Sequence, residues 1–342
     1  MRILYTADPI LPVPPVHYGG IERIVDALIR HHRAAGHEAG LVAHPDSTAE
    51  TDYHSAWPAG LSGKGGTLRN ALALRRAARE FKPDVVHSFS RLAYLAALPR
   101  SLPVLMSYQR HTGGRQITAA VRFAGKRLAF TGCSEFICAM GRRAGGNWTA
   151  VPNFVELEKF TFRPQVADDA PLVFLSRIES IKGADWAIAI ARASGRRLVL
   201  AGNIAERGTE RDYFDREIRP HLGRDGIEWI GEVNDAEKNE CLGQAAALLV
   251  PIQWDEPFGI VFAEALAVGT PVISCPRGAL PEIVDPGRTG FLIRSIEDGI
   301  AAVRQLPVID RARCRRAAES RFSCEVIAPR YLESYHQLAA SH

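Results

Sequence analysis

Residues 256–264 read Glu256-Pro257-Phe258-Gly259-Ile260-Val261-Phe262-Ala263-Glu264, and the apolar run Leu248–Ile252 lies just before them. A short apolar run bounded by polar residues predicts a buried strand, and the proline and glycine that follow predict a turn. Between Gly259 and Cys275 the only charged residue is Glu264, so the helix after this turn should also be buried. A buried strand, a turn and a buried helix in this order are typical of a parallel sheet covered on both faces.

The same order of strands and helices is repeated along the chain. In the first half, helices are predicted at 21–35, 68–81 and 117–128, and strands at Ile3–Ala7, Ala39–Ala43, Val85–Phe89, Val104–Tyr108, Phe130–Cys133 and Thr149–Val151. The second half predicts strands at Leu172–Ser176, Arg197–Ala201, Ile227–Ile230, Leu248–Ile252, Val272–Cys275 and Gly290–Ile293. Two helices follow at 310–322 and 325–338, and Pro329 should start or kink the second. Two such series predict two doubly wound α/β domains.

Length and composition fit two globular domains. A chain of 342 residues suits two domains of ~150 residues each. Its 46% apolar and 23% charged residues are typical of a folded globular protein. No apolar run approaches the ~18 residues of a membrane span, and the first run is too short for a signal peptide. The six cysteines form no CxxC pair, so we expect neither disulfides nor zinc, and a cytoplasmic location.

The turn within the opening stretch predicts an anion site. Pro257 suits the first position of a helix, and the amides of Phe258, Gly259, Ile260 and Val261 would then lie at the positive end of its dipole. Gly259 would let a phosphate or a sugar approach the backbone, and Glu256 would sit at the cap. Glu264 would need a partner if it is buried, and a ribose diol, a core arginine or a backbone amide would each serve.

Two further strand-to-helix turns carry residues suited to phosphate. Arg177 and Lys182 follow the strand Leu172–Ser176 and suit a diphosphate, although cations are also common on plain surfaces. Gly19 and Gly20 precede a predicted helix, where backbone amides could approach a phosphate. In open parallel sheets, ligands bind beyond the carboxyl ends of the strands, so a cleft between two such domains could hold a donor and an acceptor.

Together these segments resemble a known family. The spacing of Glu256 and Glu264 in the opening stretch resembles the hallmark of retaining glycosyltransferase family 4 (group 1), which has the GT-B fold. Similar segments occur along nearly the whole chain: Gly19-Gly20-x-Glu22, Pro83-Asp84-Val85-Val86-His87, 151–156 with Phe160, Ser176-Arg177 with Lys182-Gly183, Gly231-Glu232-Val233, 269–273, Thr289-Gly290-Phe291, and Arg330-Tyr331 with Tyr335. The resemblance implies α/β architecture with two Rossmann-like domains facing a cleft, and a retaining hexosyltransferase.

The resemblance also implies roles for individual residues. The implied catalytic residues are Arg177 and Lys182, which would stabilise the departing diphosphate, and Glu256, which would bind hydroxyls of the transferred sugar. Glu264 would bind the ribose, and Gly231 and Val233 would meet the base; the remaining donor-binding residues would be Gly19, Gly20, Phe258, Gly259, Ile260 and Val261. Residues 1–163 would form an acceptor-side domain, completed by a C-terminal helix at 324–342 that crosses back to it. Residues 171–322 would form the donor-binding domain.

The chain departs from the family pattern on the acceptor side. The family often has His-x-His after Pro-Asp-Val-Val, but here the residues are His87-Ser88-Phe89. Gln109 stands where a histidine often follows the strand Val104–Tyr108, and His111 comes two residues later. His87, Arg110 and His111 are therefore acceptor-side candidates, with His111 open between a catalytic role and that of a loop histidine.

Charge is divided unevenly between the two halves. Residues 1–165 hold 21 Lys and Arg against 12 Asp and Glu, a net of +9, while residues 166–342 hold 21 against 26, a net of −5. Arg122, Lys126 and Arg127 lie in the predicted amphipathic helix at 117–128, which could contact an anionic membrane or an anionic acceptor, or simply be exposed. The acceptor could be a glycan, a lipid-linked compound or a small molecule, and we expect no nucleic-acid partner.

No metal or other cofactor is expected, since the chain contains no Asp-x-Asp sequence. Arg177, Lys182 and a helix N-terminus would then offset the charge of the departing diphosphate. A UDP-sugar is the favoured donor, and it counts as a substrate. Two alternatives stay open: a GT-B nucleotide-sugar epimerase, which would react without an acceptor, and a non-enzymatic two-lobed sugar-binding protein, which should carry an export signal.

Overall fold

The computed structural model describes residues 1–16, 19–58, 60 and 63–340, with the backbone alone for Lys64. The chain divides into two compact units: Met1–Phe154 together with the C-terminal segment from Cys324, and Val155–Ser323. Residues 155–163, placed above with the N-terminal domain, belong to the second unit. The Val155 amide donates to the Phe322 carbonyl at 2.8 Å, and the Arg163 amide donates to the Val268 carbonyl at 2.9 Å. Residues 341 and 342 of the predicted last helix lie outside the described residues.

The first unit is built on a parallel sheet with seven strands in its described part, in the order β3-β2-β1-β4-β5-β6-β7. The strands are β1 (Arg2–Thr6), β2 (Glu38–Ala43), β3 (Tyr53–Ala56), β4 (Val85–Ser88), β5 (Val104–Tyr108), β6 (Leu128–Gly132) and β7 (Asn147–Ala150). Its helices are α1 (Gly20–Ala34), α2 (Gly63–Phe81), α3 (Gly114–Ala124) and α4 (Glu135–Arg142). The strand β3 was not predicted, because at the sheet edge its residues alternate between half-buried and exposed positions.

The second unit carries a parallel sheet with six strands in its described part, in the order β10-β9-β8-β11-β12-β13. The strands are β8 (Leu172–Leu175), β9 (Leu198–Ala201), β10 (Ile227–Trp229), β11 (Ala247–Val250), β12 (Val272–Ser274) and β13 (Gly290–Leu292). The helices are α5 (Ala184–Ser194), α6 (Thr209–Tyr213), α7 (Asp235–Gln244), α8 (Ile260–Val268), α9 (Leu280–Ile283), α10 (Ile296–Gln305) and α11 (Arg311–Arg321). Each predicted strand of this half is present; β8 and β11 are buried and apolar throughout and β12 is buried, while β10 and β13 at the sheet edges are partly exposed.

The last helix, α12 (Cys324–Ala340), is part of the first unit and packs on α1 and β5. Pro329 lies inside α12, so it does not start the helix as one reading of the sequence allowed. No helix in the described part of the chain has the length and apolarity that a bilayer crossing requires.

A chain of buried hydrogen bonds ties α12 to the sheet of the first unit. His87 Nδ1 lies 2.5 Å from the Tyr335 hydroxyl, and His87 Nε2 lies 2.7 Å from Ser107 Oγ. His32 Nε2 lies 3.0 Å from the Ala328 carbonyl, and its Nδ1 contacts the Tyr5 hydroxyl. Because a carbonyl can only accept, Nε2 of His32 carries a proton, whereas the Tyr5 hydroxyl at Nδ1 can donate or accept. Both rings are buried, and burial favours the neutral form of a histidine.

Lowering the pH from about 6.5 to 4 should destabilise the first unit. Burial lowers the pKa of His32 to about 4 and the pKa of His87 well below its usual value. In this range the unfolded chain binds protons that the folded chain excludes, so the free energy of unfolding should fall as the pH falls. The expected slope is about 1.4 kcal/mol per pH unit for each histidine. Urea unfolding between pH 4 and 7 measures it.

The matched variants for this test are His32→Gln and His31→Gln. His32→Gln should reduce the slope, because its side chain cannot take up a proton, while His31→Gln should change the slope less, because His31 acts on His32 only through the charge of a neighbouring ring. Equal slopes in the wild type and in His32→Gln would contradict the assignment.

Candidate active site

The opening stretch forms the turn between β11 and α8. The helix begins at Ile260 with Gly259 as its N-cap, at φ 80° and ψ 83°. The expectation that Pro257 takes the first helical position and Glu256 the cap is therefore wrong. A Cβ on Gly259 would lie 2.6 Å from the Phe262 ring, so the left-handed cap leaves no room for a side chain. The amides of Ile260 and Val261 lie in the first helical turn and have no intrahelical acceptor, as anion binding requires.

Glu256, Lys182 and Trp254 form one contact cluster at this turn. Lys182 Nζ lies 2.7 Å from Glu256 Oε2, and Trp254 Nε1 donates to the same oxygen at 2.8 Å. The ammonium also lies 5.1 Å from the centre of the Trp254 ring, within cation–π range. The Lys182 and Glu256 side chains are only 11% and 13% exposed, so solvent screens the ion pair little. Trp254 was missed by sequence reasoning, since nothing in a single sequence shows which way its ring points.

Two glycines allow the close backbone packing that positions Lys182 and Glu256. Lys182 ends a short 3₁₀ turn, and Gly183 follows at φ 76° as the N-cap of α5. A Cβ on Gly183 would lie 2.2 Å from the Pro251 carbonyl oxygen, so the Lys182 turn packs directly on the residue that follows β11. Gly278, at φ 56°, lies equally close to Glu256: a Cβ there would come within 2.2 Å of the Glu256 carbonyl oxygen. The position of the Lys182–Glu256 pair is thus set by close backbone packing.

Arg177 lies at the carboxyl end of β8 and is separate from this cluster. Its side chain is 48% exposed and contacts Glu179 at 2.6 Å. Glu210 holds the intervening turn by accepting from the Ser180 amide at 2.6 Å and from the Ser180 hydroxyl at 3.0 Å. Arg177 is therefore the more accessible of the two predicted phosphate-binding cations.

Glu264 is paired with a lysine. Its Oε1 lies 2.5 Å from Lys238 Nζ on α7, and the same ammonium lies 3.4 Å from Asp235 Oδ1. The partner is neither the core arginine nor the backbone amide that the sequence left open. A ribose contact stays a prediction, and it would have to be made beside this ion pair.

The residues predicted to meet the base follow β10. Gly202 N donates to the Gly231 carbonyl at 2.7 Å, and a Cβ on Gly202 would lie 1.9 Å from the Ser176 carbonyl oxygen. The turns after β8, β9 and β10 are therefore in direct contact, and Val233 follows two residues after Gly231. Trp229 and Ile230 are 39% and 46% exposed, which adds an apolar surface that the sequence reading did not single out.

In the first unit, Gly19 and Gly20 form the start of α1. Gly19 is the N-cap and Gly20 the first helical residue. A Cβ on Gly19 would lie 2.7 Å from Pro15 Cβ and 3.0 Å from Glu22 Oε2. Glu22 is buried, and this burial raises the pKa of its carboxyl.

The three acceptor-side candidates differ in accessibility. His87 is fully buried with both ring nitrogens engaged, so the structure does not support its role as an acceptor-facing residue. Arg110 is exposed and lies 3.4 Å from Asp8 Oδ2. His111 is exposed and meets the Phe136 ring edge-on, with the centroids 5.8 Å apart.

Asp8 is a residue that sequence reasoning missed. Burial raises the pKa of its carboxyl, and the charges of Arg110 and Arg91 only partly offset this. Its Oδ1 atom is buried without a hydrogen-bond partner in the described structure, as is Oε1 of Gln109. The position of Asp8, just after the first buried strand, was the signal available in the sequence.

Family models match both parts of the chain. Residues 158–321 match glycosyl transferases group 1, and residues 18–159 match glycosyltransferase family 4. The chain belongs to the group 1 glycosyltransferases. This group 1 glycosyltransferase is 27% identical to the glycogen synthase of Mycobacterium tuberculosis (strain ATCC 25618 / H37Rv), over 94% of the chain and 89% of that relative.

Solved structures agree with the family. The group 1 glycosyltransferase resembles AviGT4, a glycosyltransferase involved in avilamycin A biosynthesis, with 29% identity and a TM-score of 0.76 over 100% of the chain and 98% of that protein. Sucrose-phosphate synthase from Thermosynechococcus elongatus shares the fold at 19% identity, with a TM-score of 0.80 over 100% of both chains. The two parallel-sheet domains are thus those of the GT-B fold. These matches favour neither the epimerase nor the sugar-binding protein.

Proposed function

We propose that this glycosyltransferase moves a hexose from a nucleotide-diphosphate sugar, with a UDP-sugar favoured, to a hydroxyl of the acceptor. The observation that carries the proposal is the pair of Lys182 and Glu256, 2.7 Å apart at the carboxyl ends of parallel strands and beside the first turn of α8. This arrangement places a cation for phosphate next to a carboxylate for sugar hydroxyls. The acceptor would be a glycan, a lipid-linked compound or a small molecule.

The cations support a reaction without a metal ion. As the bond between the sugar and the phosphate breaks, negative charge grows on the departing diphosphate. Lys182, Arg177 and the amides at the start of α8 would offset that charge, and preorganised groups of this kind contribute several kcal/mol to a transition state. Glu256 orients the Lys182 ammonium before the donor arrives.

The contacts of Glu256 support a mechanism in which the sugar keeps its anomeric configuration because the acceptor attacks the face that the phosphate leaves. Lys182 and Trp254 both hold the same carboxylate oxygen, which makes Glu256 a poor nucleophile and favours hydrogen bonding to the sugar. We propose that the acceptor hydroxyl attacks an oxocarbenium-like centre on the face that the phosphate leaves. The hydroxyl proton would pass to the departing phosphate oxygen, so the carbon–oxygen bond that forms replaces the one that breaks.

We place the other donor groups along the same edge of the second unit. Glu264 would accept the ribose hydroxyls, and the backbone around Gly231 and Val233 would meet the base. We also propose a cytoplasmic location, and contact of the first unit with an anionic membrane stays a prediction.

A thermal-shift panel of UDP-, GDP- and ADP-sugars tests the proposed donor. The UDP-sugar should stabilise the protein most, since a ligand bound at a hundred times its Kd adds about 2.7 kcal/mol. Glu264→Gln should weaken donor binding about tenfold, because a charged hydrogen-bond acceptor for the ribose is lost. Glu319→Gln, an exposed carboxylate on α11, is the matched control and should bind the donor like the wild type.

Acceptor screening with the best donor, followed by NMR of the product anomer, tests the reaction. Retained configuration is expected. Inversion would contradict the proposed mechanism, reaction of the donor without any acceptor would point to an epimerase, and no shift with any nucleotide sugar would contradict the donor site.

A further inference from the structure

The first unit contains a long segment with no acidic residue. Between Val85 and Ser134 the sequence has seven Lys and Arg and no Asp or Glu. Some arginines elsewhere on the surface have a carboxylate nearby: Arg142 contacts Glu135, and Arg211 lies 3.0 Å from Asp215. The positive charge of this segment is therefore not neutralised locally along the chain.

Two arginines of this segment, Arg115 and Arg122 on α3, lie around one recess together with Arg143, which directly follows α4. The recess is open to solvent, has a volume of about 490 Å³ and is lined by Arg115, Arg122 and Arg143. Ala119 and Met140 add apolar surface, and Thr118 lies among the three arginines. None of the three guanidinium groups has a carboxylate partner within the described part of the chain. Three like charges around one recess repel one another, and a bound anion would relieve that repulsion.

The recess has a fixed frame. Thr118 Oγ1 donates to the Ala144 carbonyl at 2.9 Å, which joins α3 to the residues that follow α4. Ile117, the neighbour of Thr118, is fully buried in the core. The backbone positions that carry the arginines are thus held without a ligand, so binding would require only side-chain ordering.

We propose that this α3–α4 recess binds a phosphate group, as a monoester or a diester. Three guanidinium forks can engage the several oxygens of a phosphate at once, whereas a carboxylate offers only two oxygens, enough for one fork. The apolar surface of Ala119 and Met140 would accept the carbon that carries the phosphate. The inference goes beyond the proposed function, because these residues lie outside the proposed donor site and need no donor for binding.

Calorimetric titration with inorganic phosphate at constant ionic strength tests the recess. The double variant Arg122→Gln/Arg143→Gln should bind phosphate at least tenfold more weakly, because two charged hydrogen-bond donors are lost. Arg75→Gln on α2, which removes another exposed arginine of the same unit, should bind like the wild type. Lys182→Ala should retain the recess affinity, and thermal unfolding without phosphate should show that the double variant is folded.

Two further probes identify the source of the phosphate. Binding of phosphatidylglycerol vesicles but not phosphatidylcholine vesicles, lost in the double variant, would support the site and assign it to a lipid headgroup. Binding of glycerol 3-phosphate without vesicle binding would support it and assign a soluble phosphorylated compound. Unchanged phosphate affinity in the double variant, a loss confined to Lys182→Ala, or an equal loss in Arg75→Gln would overturn the proposal.

Discussion

Replacing Lys182 by Ala should lower turnover about 10³-fold, whereas the affinity for the donor nucleotide should fall by less than tenfold. The reason lies in when the charge appears. The ground-state diphosphate can still use Arg177 and the helix amides, but the additional negative charge of the departing group forms beside the missing ammonium. Single-turnover kinetics and nucleotide titration with the same variant separate the two quantities.

Lys159→Ala is the matched control for this variant, since it removes another lysine of the second unit that is paired with a glutamate. It should keep wild-type turnover. The Lys182 variant also leaves Glu256 with Trp254 as its remaining partner, so thermal unfolding should be measured beside the kinetics. A folded Lys182→Ala enzyme with wild-type turnover would disprove the assigned role. Equal losses in turnover and in donor affinity would mean that Lys182 binds the donor and the transition state equally well.

Replacing Arg311 by Ala should destabilise the second unit by about 3–5 kcal/mol. The side chain is buried, and burial lowers the pKa of its guanidinium to about 10. Its nitrogens donate to the carbonyls of Arg163 at 2.7 Å, Ala245 at 2.9 Å and Gly243 at 3.0 Å. A fourth bond, at 2.8 Å, reaches the Thr270 hydroxyl. The alanine variant leaves three carbonyls without donors in a place that water reaches poorly.

Urea unfolding followed by tryptophan fluorescence measures this loss. Arg313→Ala on the same helix is the control, because Arg313 is exposed and its contact with Asp310 is 3.9 Å long. Its free energy of unfolding should stay within about 0.5 kcal/mol of the wild type. If the free energy of unfolding of Arg311→Ala also stayed in this range, water would be replacing the lost hydrogen-bond donors.

The strands and helices were largely predictable because short stretches of neighbouring residues determine them. Each buried strand is a short apolar run, and the turn signals stand directly beside it. The edge strand β3 escaped detection because half-buried positions carry no such run. The start of α8 was placed three residues early, since Pro257 suits a first helical turn, whereas the packing of Gly278 on the Glu256 backbone is a long-range contact.

The sequence predicted most residues of the candidate site, but it did not predict which of them contact one another. Lys182 and Glu256 were both named, but their direct pairing spans 74 positions of sequence and depends on how β8 and β11 lie side by side. The same holds for Lys238, which pairs with Glu264 from another helix. His87 was misplaced because a motif position does not show whether a side chain faces the core or solvent.

The return of α12 to the first unit has a consequence during synthesis. Residues 155–323 form a continuous segment and can fold as soon as they leave the ribosome. The first unit is interrupted, because the Ala328 carbonyl and the Tyr335 hydroxyl are the partners of His32 and His87. Until that helix is made, those two histidines lack their final hydrogen bonds. The half of the protein that is translated first is therefore the half that is finished last.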